Sequence, residues 1–110
     1  MKQTAVNSVL SIDSRMSSAI QHSLVVVKNA EGLHMRPADK LVRAASTFQC
    51  QIELERAGQV ADCRSILSLL TLGATEGSEL ILRAQGPDAE LAIRTICHLF
   101  ENQFEETTAS

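Results

Sequence analysis

Tryptophan and tyrosine are absent from this chain, and phenylalanine occurs only three times. With no aromatic platforms and a formal net charge of -3, it has neither the stacking surface nor the basic footprint of a nucleic-acid-binding protein. No apolar run approaches the ~20 residues that a membrane-spanning helix needs, which argues against membrane insertion. Cysteine is sparse and odd in number, and Cys50, Cys63 and Cys97 show no C-x-x-C spacing. That fits reduced thiols in the cytoplasm better than a disulfide framework. Cys50, Cys63 and His98 also lack the short ligand spacings of structural zinc sites, so no metal and no cofactor is implied.

What is present is one domain's worth of ordinary globular sequence: 110 residues, 45% hydrophobic and 21% charged, with no internal repeat. Residues 1–22 are rich in Ser, Asn and Gln, with scattered apolar residues such as Val6, Leu10, Met16 and Ile20. They contain no continuous run of about 7 to 15 apolar residues, which argues against a secretory signal. Lys2 and Arg15 in a Ser-rich setting are shared with organellar transit peptides, but the reading adopted is a flexible or partly helical extension.

From Ser23 the texture changes. SLVVVKN is a β-branched run that ends in a turn-forming Asn, which predicts a strand. Ala38, Leu41, Val42 and Ala45 recur at helical spacing and predict an amphipathic helix from about Pro37 to Thr47. Gln51 to Arg56 alternates, Ala57-Gly58 turns, and Gln59 to Asp62 returns, as in an antiparallel hairpin. The stretch SILSLLTL predicts a short helix that Gly73 closes, and Glu79 to Gln85 a further strand. After Gly86-Pro87-Asp88, the stripe Ala89, Ala92, Ile93, Ile96, Leu99, Phe100 predicts a last helix. The order βαββαβα implies an α+β open-faced sandwich with a largely antiparallel sheet.

The stretch GLHMRPA, Gly32 to Ala38, carries the chemistry. Pro37 suits the first turn of a helix and pushes Arg36 before it out of the α region, which puts His34 just ahead of a helix N-terminus. Unpaired amides and the positive end of the helix dipole make an anion site there, and Arg36 adds a charge-assisted contact. An imidazole with an ordinary pKa of about 6.5 is mostly neutral at pH 7 and nucleophilic toward phosphorus. On local spacing alone the simpler reading is that His34 caps or hydrates a loop end, Arg36 is a solvated charge and Pro37 is only a helix starter. A metal ligand or hydrolase base lacks its partners: there is no second His nearby, no Ser elbow and no paired carboxylates.

GLHMRPA, followed by the helix, the hairpin and then RSILSLLTLGATEGSEL, resembles the HPr family, the histidine-containing phosphocarriers of the bacterial phosphoenolpyruvate-dependent sugar phosphotransferase system. The resemblance covers about Ser23 to Glu105. It implies a domain over 23–106 with a tail over 107–110, and a four-stranded antiparallel sheet covered on one face by three helices. It further implies that His34 takes a phosphoryl group on Nδ1 from enzyme I and passes it to sugar-specific enzyme II A domains. Arg36 and the first helix amides, from Met35 to Pro37, would contact that group. Such a carrier is a co-substrate more than an enzyme.

Ser65 matches the serine that an ATP-dependent HPr kinase/phosphorylase modifies in many bacteria, and it also suits the N-cap of the short helix. The resemblance puts Leu69 and Leu72 inside and gives Met35, Asp39, Arg43, Ile66, Leu67 and Leu70 to the partner-binding face. Met35, Asp39 and Ser68 depart from the family's usual residues and bear on which partners fit. Two other readings follow from the same residues: a regulatory HPr, nitrogen-related or carbon-control, that feeds no transporter; or a protein-binding module switched at Ser65.

Overall fold

The structure, a computed structural model, describes residues 19–105. The proposed extension therefore lies largely outside the described residues, as does the tail. Seven elements follow in the order β1 (Gln21–Val26), α1 (Met35–Ala45), β2 (Gln51–Arg56), β3 (Gln59–Asp62), α2 (Ile66–Thr71), β4 (Glu79–Gln85) and α3 (Ala89–Glu101). The sheet has strand order β1-β4-β2-β3 with every neighbour antiparallel. This is the βαββαβα open-faced sandwich that the sequence pattern implies.

Strand alternation sorts the faces. Val25, Leu80, Leu82, Ala84, Ile52, Leu54 and Ala61 point into the core, and Leu41, Leu69, Leu72, Ile96 and Phe100 come down on them from the helices. Among the described residues no helix covers the opposite face, where Leu24, Ile81 and Val60 are exposed. Arg83 pairs there with Glu55 across β4 and β2. The β2–β3 hairpin turns on Ala57 (φ 51°) and Gly58 (φ 86°), two positive φ values in a two-residue loop, whose twist matches that of the strands.

Three boundaries differ from the sequence expectation. β1 starts at Gln21, two residues before Ser23, because ladder pairing carries Gln21 and His22 opposite Ala84 and Arg83 although their side chains are polar. α1 starts at Met35, so Arg36 is helical, against the expectation that Pro37 would hold it outside the α region. Proline's bias on its predecessor is a preference, and Pro37, as third helical residue, lacks an N–H at a position with no intrahelical acceptor. α1 also ends at Ala45 and stops short of Thr47. Ser46 Oγ donates to Val42 O at 2.7 Å and Thr47 Oγ1 to Ala44 O at 2.7 Å, hydroxyls that compete with the helix ladder.

Two polar side chains lock the core's margins. Arg64 Nη2 donates to the carbonyls of Ala45, Phe48 and Cys50 at 2.7–2.9 Å, closing the exit of α1 against the start of α2. Asp88 accepts from the backbone N–H of Gln49 and of Cys50, both at 2.9 Å, and the first of these bonds leads in holding its carboxyl below the usual carboxylate range. Burial pushes the Cys63 thiol up to about 12 and the Cys50 thiol up to about 11, the latter with a contribution from Asp88.

Candidate functional site

The site is built on the entry to α1. Asn29 starts a tight turn in which Gly32 N–H donates to Asn29 O at 3.0 Å and Asn29 Nδ2 donates back to Gly32 O at 2.6 Å. Leu33 N–H then donates to Ala74 O at 3.0 Å, so the loop is pinned to the segment that follows α2. Gly32 has φ +76°, and a Cβ there would lie 2.6 Å from that same Ala74 oxygen. Glycine is required both for the backbone conformation and for the close approach. With Leu33 buried beneath it, the next residue is aimed outward.

That residue, His34, is the N-cap of α1, extended (φ -95°, ψ -166°) and half-buried. Its carbonyl accepts from Ala38 N–H at 3.0 Å, which starts the helix. Its side chain does not cap, and no acidic residue sits in the helix's first turn. His34 Nε2 lies 3.2 Å from Glu31 Oε1. An anion at that distance favours a proton on Nε2 and leaves the lone pair on Nδ1. Beside the ring opens a cavity of about 460 Å³ whose walls include Asn29, Arg36, Lys40 and Phe104.

The structure brings His34 and Arg36 to one cavity. Ser65 sits elsewhere, at the N-cap of α2, where its Oγ accepts from Ser68 N–H at 3.1 Å. Along α2, Leu69 and Leu72 are buried, Ile66 and Leu70 are half-buried, and Leu67 is 74% exposed. On α1, Met35 is 59% exposed, and Asp39 Oδ2 accepts from Arg43 Nε at 2.9 Å, one turn apart. Sequence reasoning missed Glu31, Lys40 and the C-terminal turn, and read Asn29 only as a turn-former. Lys40 left a signal in its i+4 spacing from Arg36 on the helix.

A small antiparallel α+β sandwich that presents a histidine at a helix N-terminus, with a guanidinium in the same cavity, is a geometry suited to holding a phosphoryl group. Residues 22–102 match the family described as PTS HPr component phosphorylation site. The chain is 36% identical to phosphocarrier protein HPr of Xylella fastidiosa (strain 9a5c) over 89 residues, 81% of this chain and 99% of that one. It is 38% identical to phosphocarrier protein NPr of Proteus mirabilis (strain HI4320) over 87 residues, 78% and 97% of the two chains. Among solved structures it is similar to HPr-C-His from Thermoanaerobacter tengcongensis, with a TM-score of 0.74 and 37% identity, covering 78% of this chain and 98% of that one. The chain belongs to the HPr family of phosphocarriers of the phosphotransferase system.

Proposed function

We propose that this chain carries a phosphoryl group on Nδ1 of His34, taken from phosphoenolpyruvate by way of enzyme I and passed to sugar-specific enzyme II A domains in the cytoplasm. The observation that carries the reading is the placement of His34 at the uncapped start of α1, beside Arg36 and against Glu31. The amides of Met35 and Arg36 and the guanidinium of Arg36 face the charge on the phosphoryl oxygens, while Pro37 contributes no N–H. In a transfer of this kind the protein mainly positions the group and stabilises oxygen charge. The pinned loop supplies the first and the helix start the second.

The exposed Leu67, with Met35, Asp39, Arg43, Ile66 and Leu70, forms the face on which enzyme I and the acceptors dock. Ser65 stands beside it, and an HPr kinase/phosphorylase acting there would add about two negative charges next to the docking face, repelling acidic partners. Enzyme I with phosphoenolpyruvate is expected to place acid-labile, base-stable phosphate on the wild type and none on His34→Ala. A wild type that stays unlabelled with its cognate enzyme I refutes the reading. The 38% identity to a phosphocarrier NPr, between the 36% and 43% identities to two HPrs, motivates a second reading, a regulatory carrier that feeds no transporter. Transfer from the labelled chain to sugar-specific enzyme II A domains separates the two.

A further inference from the structure

We infer that residues 1–18 of this chain, which precede β1 and lie outside the described residues, dock across the sheet face that no described helix covers and add a third layer to the sandwich. Four apolar side chains are exposed on that face: Leu24 at 60%, Val60 at 51%, Ile20 at 49% and Ile81 at 40%. Leu24 and Ile81 are direct partners across β1 and β4 and form one patch, and the same row of the sheet continues through Glu55 to Val60. None of these residues lines the His34 cavity.

Ile20 shows where the docking segment starts. It comes just before β1, an edge strand, yet it lines a small cleft of about 50 Å³ with Arg83 and Gln85 of β4 and Gln51 and Glu53 of β2. The side chain ahead of β1 is thus turned over the two middle strands, so the chain before it sets out from the exposed face. Three strand spacings of about 4.8 Å make the sheet ~14 Å wide, and residues 1–18, even at the ~1.5 Å rise of a helix, reach ~27 Å. The segment is long enough to cross all four strands.

Its sequence suits that surface. Ala5, Val9, Ile12 and Met16 recur at i, i+4, i+7 and i+11, the spacing of one helical stripe, and Asn7, Ser11 and Ser14 fall on the opposite side. A helix so short and rich in Ser is marginal alone in water, so the stripe needs an apolar surface to fold against. Leu24 and Ile81 supply one next to Ile20. Charge points the same way. Glu53, Glu55, Asp62 and Glu79 alternate onto the exposed face, where Arg83 pairs with Glu55. Glu53 and Asp62 stand directly opposite each other, a destabilising like-charge pair. Arg64 borders them, with its backbone N–H on Asp62 and its Nη2 on three backbone carbonyls. Residues 1–18 bring Lys2 and Arg15 against Asp13 alone, a net positive strip for an acidic face.

The test uses the whole chain with ¹³C-labelled Ile, Leu, Val and Met methyl groups. Nuclear Overhauser contacts from Met16 or Ile12 to the methyls of Leu24 or Ile81 are expected, and they should persist when labelled chain is diluted into an excess of unlabelled chain. Met16→Asp is expected to abolish the Met16 contact, to shift the Leu24 and Ile81 methyl resonances and to lower the urea midpoint, whereas Met16→Leu keeps the midpoint. Absence of any contact from the segment to the sheet methyls overturns the inference. So does a Met16→Asp chain whose sheet methyl resonances and urea midpoint equal those of the wild type. Contacts that vanish on dilution would give the face to a second copy of the chain and overturn it as well.

Discussion

Replacing Gly32 by alanine tests whether the His34 loop is positioned as the structure has it. The new Cβ would sit 2.6 Å from Ala74 O and 3.0 Å from Thr75 Cα, where ordinary contact begins at 3.4 Å. The neighbour is backbone, so no rotamer change relieves the clash, and one of the two segments must move by about 0.8 Å. The oxygen that must retreat is the acceptor of Leu33 N–H, so the bond that pins the loop weakens in the same motion. To this is added the left-handed backbone, at roughly 1–2 kcal/mol for a residue with a Cβ.

With a neutral hydrogen bond at about 1 kcal/mol, Gly32→Ala is expected to destabilise by about 3 kcal/mol. Gly58→Ala is the control, since its φ of +86° is similar but nothing lies within 4 Å of its Cβ, leaving about 1–2 kcal/mol of backbone strain. Both replacements reduce unfolded-chain freedom alike, so that contribution cancels between them. Urea unfolding of the two variants gives the difference. A phosphorylation assay under conditions where both remain folded should show Gly32→Ala slowed and Gly58→Ala unchanged. If Gly32→Ala unfolds at the same midpoint as Gly58→Ala, the loop does not rest on the segment after α2 as described.

Glu31→Gln keeps an oxygen near His34 but removes the charge. Because Glu31 is 79% exposed, the ring's tautomer balance should move by only about 0.5 kcal/mol, roughly a twofold change, away from Nε2–H, read from the imidazole ¹⁵N shifts. Asp88 has its carboxyl held low in the fold, so its stabilisation is full above the ordinary carboxylate pKa and disappears as pH falls through the folded value. Asp88→Asn should therefore show a flatter stability profile than the wild type below about pH 4 in urea titrations at stepped pH. Leu69→Ala, at a fully buried site, should cost about 2–5 kcal/mol, whereas Leu67→Ala should stay within about 0.5 kcal/mol yet raise the KM for enzyme I. A Leu67→Ala variant phosphorylated with unchanged KM would remove Leu67 from the docking face.

The elements were legible where the signal is local. Period-two alternation in Gln51–Arg56, the Ala57-Gly58 turn and the helical stripe of α3 each depend on residues a few positions apart, and each appears in the fold. The boundaries moved where backbone or hydroxyl bonding overrode composition. Strand pairing recruited polar Gln21 and His22, and Ser46 and Thr47 ended α1 although they sit in its amphipathic register. Composition has no access to a ladder partner that lies some sixty residues away, as Ala84 does from Gln21.

The site divides along the same line, and the division bears on which partners fit. GLHMRPA is contiguous, so His34 and Arg36 could be read together, whereas Ala74 against Gly32 and Phe104 against Lys40 exist only once the chain has folded. Asp39 is the instructive case. As a sequence departure it bears on which partners fit. In the structure its Oδ2 is held by Arg43 Nε at 2.9 Å, so the two charges largely cancel at any distance beyond the pair itself. Of the residues of the proposed docking face, Met35 and Leu67 are exposed and apolar, and Asp39 and Arg43 form a neutral pair. On the docking reading proposed above, shape and burial at the apolar residues would select partners together with the charge that phosphorylation of Ser65 would add.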